Sequence, residues 1–314
     1  MDKDSKILVV GHQDILHKSL MDYFASEKFR NFMMPAQAGV DIFDQKAVKD
    51  FFKREKFEYV FLASTSSGGI EANRKRPAEF IYSNLMSQCN TIDAAYRNGV
   101  KKLLFLSSSC VYPKSCPQPI REESLMTGPM EPTSEAYSTA KLAGIRTCQS
   151  YRRQYGFNAI VMIPATVYGP GEDMDPATSH VLGALMTKFH QAVVAGAKSV
   201  TVWGSGRPRR EFLYSEDFAK AAVFGMDRYE EEGLIHAGVG EDVSIADLAR
   251  LMAKVTGFKG EIVFDSSKPD GTMQKLLDSR RFTKLGWKPS VALSDGITKM
   301  YEWYQELSNN GVKR

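Results

Sequence analysis

A tyrosine and a lysine stand four residues apart at Tyr137 and Lys141, in the string Tyr-Ser-Thr-Ala-Lys. On a helix this spacing places both side chains on one face. A neighbouring ammonium favours the phenolate and lowers the pKa of a tyrosine from its ordinary value of about 10. The phenol then becomes a usable general acid or base for a carbonyl or an alcohol. Because a lone pair of this kind is more often exposed and inert, a second feature is needed.

The second feature is a run of three serines, Ser107–Ser109, at the end of the apolar segment KLLFLS. Such a segment predicts a buried strand, and parallel sheets bind their ligands beyond the carboxyl ends of the strands. A serine at that position can donate a hydrogen bond to the same substrate oxygen as the tyrosine. Together the serine, tyrosine and lysine predict the reduction of a carbonyl group.

Elements that place these residues alternate between strand and helix over the first half of the chain. The predicted strands are Lys6–Gly11, Asn31–Met34, Tyr59–Ala63, Lys102–Ser107 and Asn158–Val167. The predicted helices include Gln45–Lys56, Ala78–Gly99 and Thr133–Tyr155. This alternation implies parallel pairing with right-handed crossovers. We therefore predict an α/β fold with a doubly wound parallel sheet, the Rossmann arrangement.

The remaining part of the chain is less regular and predicts a smaller C-terminal substrate-binding lobe. Its predicted elements are a helix at 179–196, a strand at 200–203, a helix from about 244, a strand at 261–265 and a last helix from about 293. We place the Rossmann domain at residues 1–170. Residues 171–314 are predicted to form mainly the lobe, interleaved with the last strands of the sheet.

Seven short strings, spread in order over nearly the whole chain, resemble the GDP-L-fucose synthases of the extended short-chain dehydrogenase/reductase family. They are SSCVYPK at 108–114, EPT at 131–133, YGP at 168–170, SHV at 179–181, VWGSG at 202–206, REF at 210–212 and KPDGT at 268–272.

The resemblance implies a cytoplasmic, homodimeric enzyme that converts GDP-4-keto-6-deoxy-D-mannose to GDP-L-fucose. Such enzymes epimerise C3 and C5 of the sugar and then reduce its C4 ketone with NADPH. The catalytic positions implied by the matching strings are Ser108, Cys110, Tyr137, Lys141 and His180. A thiol and an imidazole, with ordinary pKa values of about 8.5 and 6.5, suit proton exchange near neutral pH. The alternative is that Cys110 is a buried thiol and His180 a helix N-terminal contact.

The resemblance also implies two sets of binding residues. For the dinucleotide these are Gly11, Gln13, Ile15, Leu16, Asp41, Leu106, Ser107, Lys141, Pro164, Val167 and His180. For the GDP-sugar they are Lys188, Trp203, Arg210, Asp270 and Lys275. Trp203 can stack on the base and the planar fork of Arg210 can pair with the diphosphate.

The dinucleotide turn departs from the pattern of the resembled family. Where two further turn glycines are expected after Gly11, the chain has Asp14 and His17. A carboxylate there occupies the place where the N-terminus of a helix binds an anion. Arginines that hold the 2′-phosphate of NADP are replaced by Gln13, Pro35 and Gln37 at the corresponding places, and Thr166 stands where an asparagine is expected. The resemblance implies NADP(H), whereas these changes predict weakened binding and open the way to NAD(H).

Composition limits the other classes of function. The net charge is +4, and the sequence has no long block of basic residues of the kind that nucleic-acid binding needs. No segment of about 18 apolar residues predicts a membrane span. The four cysteines have no metal-type spacing, so we expect reduced thiols and no metal site.

Two alternatives stay open. The first is a related epimerase or reductase on another GDP-linked keto sugar, such as a 3,6-dideoxyhexose or a 6-deoxyheptose. The second is a pseudoenzyme that has lost its cofactor, which the missing glycines favour and the complete catalytic set opposes.

The resemblance also implies how a homodimer would form. Helices 78–99 and 133–155 correspond to those through which the resembled family pairs.

Overall fold

The computed structural model describes residues 1–11, 14–63, 66, 68–175, 178–268 and 270–309. Its strands are β1 (Ile7–Val10), β2 (Phe32–Met33), β3 (Tyr59–Leu62), β4 (Lys102–Leu106), β5 (Ala159–Pro164), β6 (Thr166–Tyr168), β7 (Ser199–Trp203), β8 (Arg209–Arg210), β9 (Phe212–Tyr214), β10 (Leu234–Ala237), β11 (Val243–Ser244), β12 (Glu261–Asp265) and β13 (Gln274–Lys275). Its helices are α1 (Ile15–Ser26), α2 (Gln45–Glu55), α3 (Ile70–Lys75), α4 (Pro77–Arg97), α5 (Glu135–Tyr155), α6 (Val181–Val194), α7 (Ser215–Arg228), α8 (Ile245–Thr256), α9 (Arg280–Lys284) and α10 (Leu293–Asn309).

The central sheet is parallel throughout, in the order β10-β5-β4-β3-β1-β2. Its inner strands β1 and β4 are buried at every position, as expected for a sheet covered by helices on both faces. The chain runs outward from β1 to β2 and then returns to β3 on the other side of β1. This reversal opens a crevice at the carboxyl ends of β1 and β3, where doubly wound folds bind ligands.

Two apolar cores lie side by side. The larger core joins the central sheet to its helices, including α1, α4 and α5. The smaller core is built by α6, α8 and α10 around Phe189, Leu248 and Met300, which are all buried. Strand β7 contributes Val200 and Val202 to the smaller core, while its alternate residues face outward.

The predicted fold class is confirmed: the sheet is doubly wound and parallel, and nearly every predicted element lies within a few residues of its predicted bounds. One predicted strand was wrong. The segment expected to form a single strand from 158 to 167 divides at Pro164 and Ala165, because Ala165 N donates to Ala237 O and Thr166 N turns to Glu211 O. The second piece, β6, then pairs with β9 outside the central sheet.

Strand β10 and helix α7 were absent from the sequence prediction. They follow residue 170, yet β10 completes the central sheet beside β5, and α7 packs on α1. The predicted boundary between a Rossmann domain and a lobe at residue 170 stays a prediction.

Candidate functional site

Strand β4 delivers the serines to the crevice. The strand ends at Leu106, and Ser109–Val111 then form one turn of 3-10 helix that is capped by Ser108. The Ser108 hydroxyl accepts a hydrogen bond from Cys110 N at 3.3 Å, so the two predicted catalytic residues are held together. Ser107 is buried, and its hydroxyl has no hydrogen-bond partner among the described residues.

Helix α5 carries Tyr137 and Lys141 against the end of β4. Gly144 permits this close packing, because a Cβ atom there would lie 2.4 Å from the ring of Phe105. Lys141 is fully buried, and its ammonium donates to Leu106 O at 3.0 Å. Burial lowers the pKa of Lys141 to about 7, although the nearby Asp14 carboxyl partly offsets this. Tyr137 is also buried, one turn before the lysine.

A cluster of charged and polar groups surrounds the thiol of Cys110. The ammonium of Lys275 lies 3.3 Å from Cys110 Sγ, and the positive charge of Arg210 acts on the same thiol. Burial alone would raise the pKa of Cys110. The charge of Lys275 and hydrogen bonds with Ser108, Lys275 and Ser134 outweigh it, so the pKa lies below its ordinary value.

His180 is the residue before the first turn of α6, and it lies close enough to Lys275 for the charge of that ammonium to act on it. The residue is exposed, yet protein atoms crowd its ring. This loss of solvation lowers the pKa of His180; the carboxylate of Asp173 opposes the shift and the charge of Lys275 adds to it. The structure therefore brings Cys110 and His180 within electrostatic reach of one ammonium.

Trp203, the residue predicted to stack on the base, is the last residue of β7. Trp203 is 65% exposed because it falls on the outward face of the strand, and the ammonium groups of Lys188 and Lys268 lie 5.2 and 5.4 Å from its ring centroid. An open indole flanked by two cations can stack on a base and attract its phosphates. Asp270 accepts hydrogen bonds from Ser205 N and Oγ at 2.9 and 2.6 Å, so its carboxylate fixes the turn after Trp203.

The side chains of Asp14 and His17 lie at the start of α1. The Asp14 carboxylate caps α1 by accepting a hydrogen bond from His17 N at 2.9 Å. Burial raises the pKa of Asp14 to about 7, against the opposing effects of the His17 hydrogen bond and the charge of Lys141. Burial likewise raises the pKa of Glu172 to about 8, helped by the charges of Asp173 and Asp14. His17 fills the space beside Gly11, and its Nε2 has no partner in the described part of the chain.

The other predicted cofactor residues lie in α1, β5, β6 and the loop before α2. Ile15 and Leu16 open α1 and pack partly against the larger core, and Pro164 ends β5. Val167 is buried in β6, and Asp41 lies in an exposed turn where it accepts from Phe43 N. Gln13 lies outside the described residues.

Several residues near the site were not predicted. Lys268 beside Trp203, Ser134 beside Cys110 and Glu172 beside Asp14 all come from loops distant in sequence. Lys268 lies inside the string KPDGT, which was a usable signal. Glu172 and Ser134 have no signal in the sequence, because only the folded chain brings them to their neighbours.

Comparison with known proteins decides the family. A model described as the NAD dependent epimerase/dehydratase family matches residues 7–245. The chain belongs to this family.

Relatives within the NAD dependent epimerase/dehydratase family confirm the predicted resemblance. GDP-L-fucose synthase 1 of Arabidopsis thaliana is 48% identical over 303 residues, covering 96% of this chain and 94% of the plant protein. GDP-L-fucose synthase of Escherichia coli is 42% identical over 310 residues, covering 96% and 97%. A solved GDP-mannoheptose C4 reductase from Campylobacter jejuni with NADP bound has a TM-score of 0.87 and 37% identity, covering 97% of this chain and 99% of that one.

Membership of an NAD dependent family raises the question whether a dinucleotide fits this crevice. At the end of β4, the buried hydroxyl of Ser107 has no hydrogen-bond partner among the described residues, and the neighbouring Leu106 carbonyl accepts from Lys141. At the start of α1, the Asp14 carboxylate accepts from His17 N, a backbone N–H group that a bound phosphate would otherwise use. Because its pKa is about 7, this carboxyl is readily neutral. The residues therefore fit a dinucleotide when Asp14 carries a proton.

The described residues contain neither a membrane-spanning helix nor a metal-binding cluster. No helix there has the length and apolar character that crossing a membrane requires. No cluster of three or more His, Cys, Asp or Glu side chains there is arranged to hold a metal ion.

Proposed function

We propose that this protein epimerises C3 and C5 of GDP-4-keto-6-deoxy-D-mannose and reduces its C4 ketone to give GDP-L-fucose. One observation carries the proposal: at the end of β4, the Ser108 hydroxyl accepts from Cys110 N and forms a hydrogen bond with the Cys110 thiol. The ammonium of Lys141, on the same helix as Tyr137, donates to Leu106 O at the same strand end. A proton-exchange group and a carbonyl-reducing group therefore share one crevice. The GDP-L-fucose synthases among the relatives support this assignment.

Epimerisation requires the removal and return of a proton beside the ketone. The Cys110 thiolate takes the proton from the carbon, and the electron pair of that C–H bond becomes the enolate. Hydrogen bonds from Tyr137 and Ser108 stabilise the negative enolate oxygen. A proton delivered to the opposite face by His180, in its protonated form, returns the electron pair to carbon with inverted configuration.

Reduction uses the same oxygen. The nicotinamide cofactor supplies the hydride when it is bound. Tyr137 gives its phenolic proton to the oxygen that becomes the C4 hydroxyl, and the positive charge of Lys141 favours the phenolate that remains. Lys141 must be charged for this purpose, so its lowered pKa of about 7 makes reduction sensitive to pH near neutrality.

The nucleotide part of the substrate is assigned to the exposed face of β7. Trp203 provides the stacking surface, and Lys188 and Lys268 provide positive charge for the diphosphate. Either NADPH or NADH serves as the reductant in this proposal, because Gln37 uses its side-chain oxygen to accept from Met34 N and offers no positive charge to a 2′-phosphate.

Assembly and location complete the proposal. We assign a cytoplasmic homodimer whose interface is formed by α4 and α5, which pack side by side. Tyr82 on α4 is 60% exposed in the single chain, which leaves a large aromatic side chain for a second copy to cover.

A reductase without epimerase activity is the second candidate, since a GDP-mannoheptose C4 reductase is similar over nearly the whole chain. The variants Cys110→Ser and His180→Gln separate the two functions. We expect both variants to lose exchange of the C3 and C5 protons with D₂O, measured by NMR, while reduction of the ketone continues. Matched controls are Cys116→Ser, which changes the next cysteine, and His190→Gln on α6. Reduction without any exchange in the wild type would favour the second candidate. Exchange at the wild-type rate in both variants would instead remove Cys110 and His180 from the epimerisation step.

A further inference from the structure

Lys275 is held in place by its backbone. It lies in β13, which pairs in parallel with β8, and its register partner is Arg210. Strand β8 pairs on its other side with β11, so β13 forms one edge of a three-stranded sheet. A half-buried lysine on a paired strand loses less freedom on forming a contact than one on a mobile loop.

The partner of this ammonium is unusual. Lys102 and Lys114 pair with the carboxylates of Glu230 and Glu131 at 2.7 and 3.0 Å. Lys275 instead donates to Cys110 Sγ at 3.3 Å, across 165 residues of sequence. A buried cation is stable only when a negative charge or good acceptors compensate it. Ionisation of the thiol would supply that compensation.

Burial opposes the thiolate, whereas the strongest charge and hydrogen-bond effects on the thiol favour it. Lys275 approaches from β13 and Arg210 from β8, while Ser108 and Ser134 approach from the loops before the 3-10 turn and before α5. His180, from the start of α6, is acted on by the carboxylate of Asp173 as well as by the ammonium of Lys275. Apart from burial, the largest effects on the pKa of Cys110 come from Lys275, Ser108 and Ser134, none of which is acidic.

We propose that Lys275 is the positioning residue that holds Cys110 as a thiolate, and thus as the base for proton abstraction from the sugar. Its role in epimerisation rests on the proposed function, whereas its effect on the thiol does not. This assignment differs from the substrate contact implied by family resemblance, because the ammonium is already engaged with sulfur.

Alkylation measures thiolate directly and needs neither substrate nor cofactor. The full-length protein and its Lys275→Met, Lys275→Arg and Lys114→Met variants are treated with iodoacetamide between pH 5 and pH 10. The rate at Cys110 is followed by mass spectrometry of its peptide. Lys114 is the matched control, because it lies four residues from Cys110 but pairs with Glu131.

We expect Lys275→Met to slow alkylation of Cys110 at pH 7 by about tenfold or more and to shift its profile to higher pH, since an adjacent cation lowers a pKa by about 1–3 units. Lys275→Arg should keep most of the wild-type rate, and Lys114→Met all of it. An unchanged profile in Lys275→Met, or equal slowing in Lys114→Met, would overturn the assignment.

Deuterium exchange at the sugar then separates the two proposals. If alkylation responds to Lys275→Met and the wild type exchanges sugar protons, the variant should lose exchange in proportion to its loss of thiolate. If alkylation responds but the wild type exchanges no protons, the thiolate assignment stands and the proposed epimerase function fails.

Discussion

The negative charge of Asp14 should set how tightly the protein binds a dinucleotide. The test change is Asp14→Asn, which removes the charge and keeps a side chain that caps a helix equally well. Asp44→Asn is the matched control, because Asp44 caps α2 through hydrogen bonds from Lys46 N and Ala47 N. We expect the first variant to bind more tightly than the wild type above neutral pH and the second to bind like the wild type.

The size of the effect follows from a shared donor. Asp14 Oδ1 lies 2.9 Å from His17 N, and a phosphate oxygen bound to the same N–H group would lie at a similar distance. The two anions would then be at most about 6 Å apart. At an effective dielectric constant of 20 this repulsion costs about 3 kcal/mol, or about a hundredfold in affinity.

A proton on Asp14 removes that cost, so the penalty depends on pH. The raised pKa of about 7 means that about half of the molecules carry the neutral carboxyl at pH 7. The bound anion favours the protonated form, and the affinity is therefore highest below pH 7 and falls as the pH rises. The advantage of Asp14→Asn should be about twofold at pH 7 and about tenfold at pH 8, levelling off near a hundredfold.

Calorimetric titration with NADPH and NADH at pH 6, 7, 8 and 9 measures this advantage. Lys141 and Glu172, with pKa values of about 7 and 8, also titrate in this pH range. Both are present in wild type and variant, so the ratio of the two affinities cancels the part of their effect that the two proteins share. Titration at pH 8 in two buffers of different ionisation enthalpy should show uptake of nearly one proton by the wild type and less by the variant. Equal affinities at pH 8 and equal proton uptake would refute the role assigned to Asp14.

Three further predictions follow from the site. Tyr137→Phe should lower turnover of a 4-keto sugar nucleotide by about 10² or more, measured from the loss of NADPH absorbance, while Tyr155→Phe near the end of the same helix should have no effect. Trp203→Ala should weaken GDP binding by about 1–3 kcal/mol in fluorescence or calorimetric titration, the usual contribution of one base stacked on an aromatic ring, and an unchanged affinity would remove Trp203 from the nucleotide site. The wild type should discriminate little between NADPH and NADH, and Gln37→Arg should shift the ratio of their dissociation constants toward NADPH; strong NADPH preference in the unmodified protein would show that other residues hold the 2′-phosphate.

The sequence was most informative where chemistry and local structure coincide. Tyr137 and Lys141 could be placed on one helix face from their spacing, and the strand Glu261–Asp265 was predicted with its observed bounds. Strand β10 was missed because it is only four residues long and one of them is His236, so its apolar pattern is weak. Three glutamates just before it also make the segment look like a surface loop. Its position is decided by pairing with β5, which no local pattern encodes.

The electrostatics of the site could not be predicted, because they depend on groups that only the fold brings together. The sequence showed that Asp14 was out of place in a dinucleotide turn. It did not show that Lys141 and Glu172 surround this carboxyl, or that burial makes it easy to protonate. In the same way, the contact of Lys275 with Cys110 joins β13 to a turn far earlier in the chain.

In the proposed function, one crevice both exchanges sugar protons and reduces the ketone. The direct measurement is NMR of the product formed by the wild type from GDP-4-keto-6-deoxy-D-mannose and NADPH in D₂O. We predict GDP-L-fucose with deuterium at both C3 and C5. A reduced sugar that keeps its original configuration and its protons at C3 and C5 would contradict the claim.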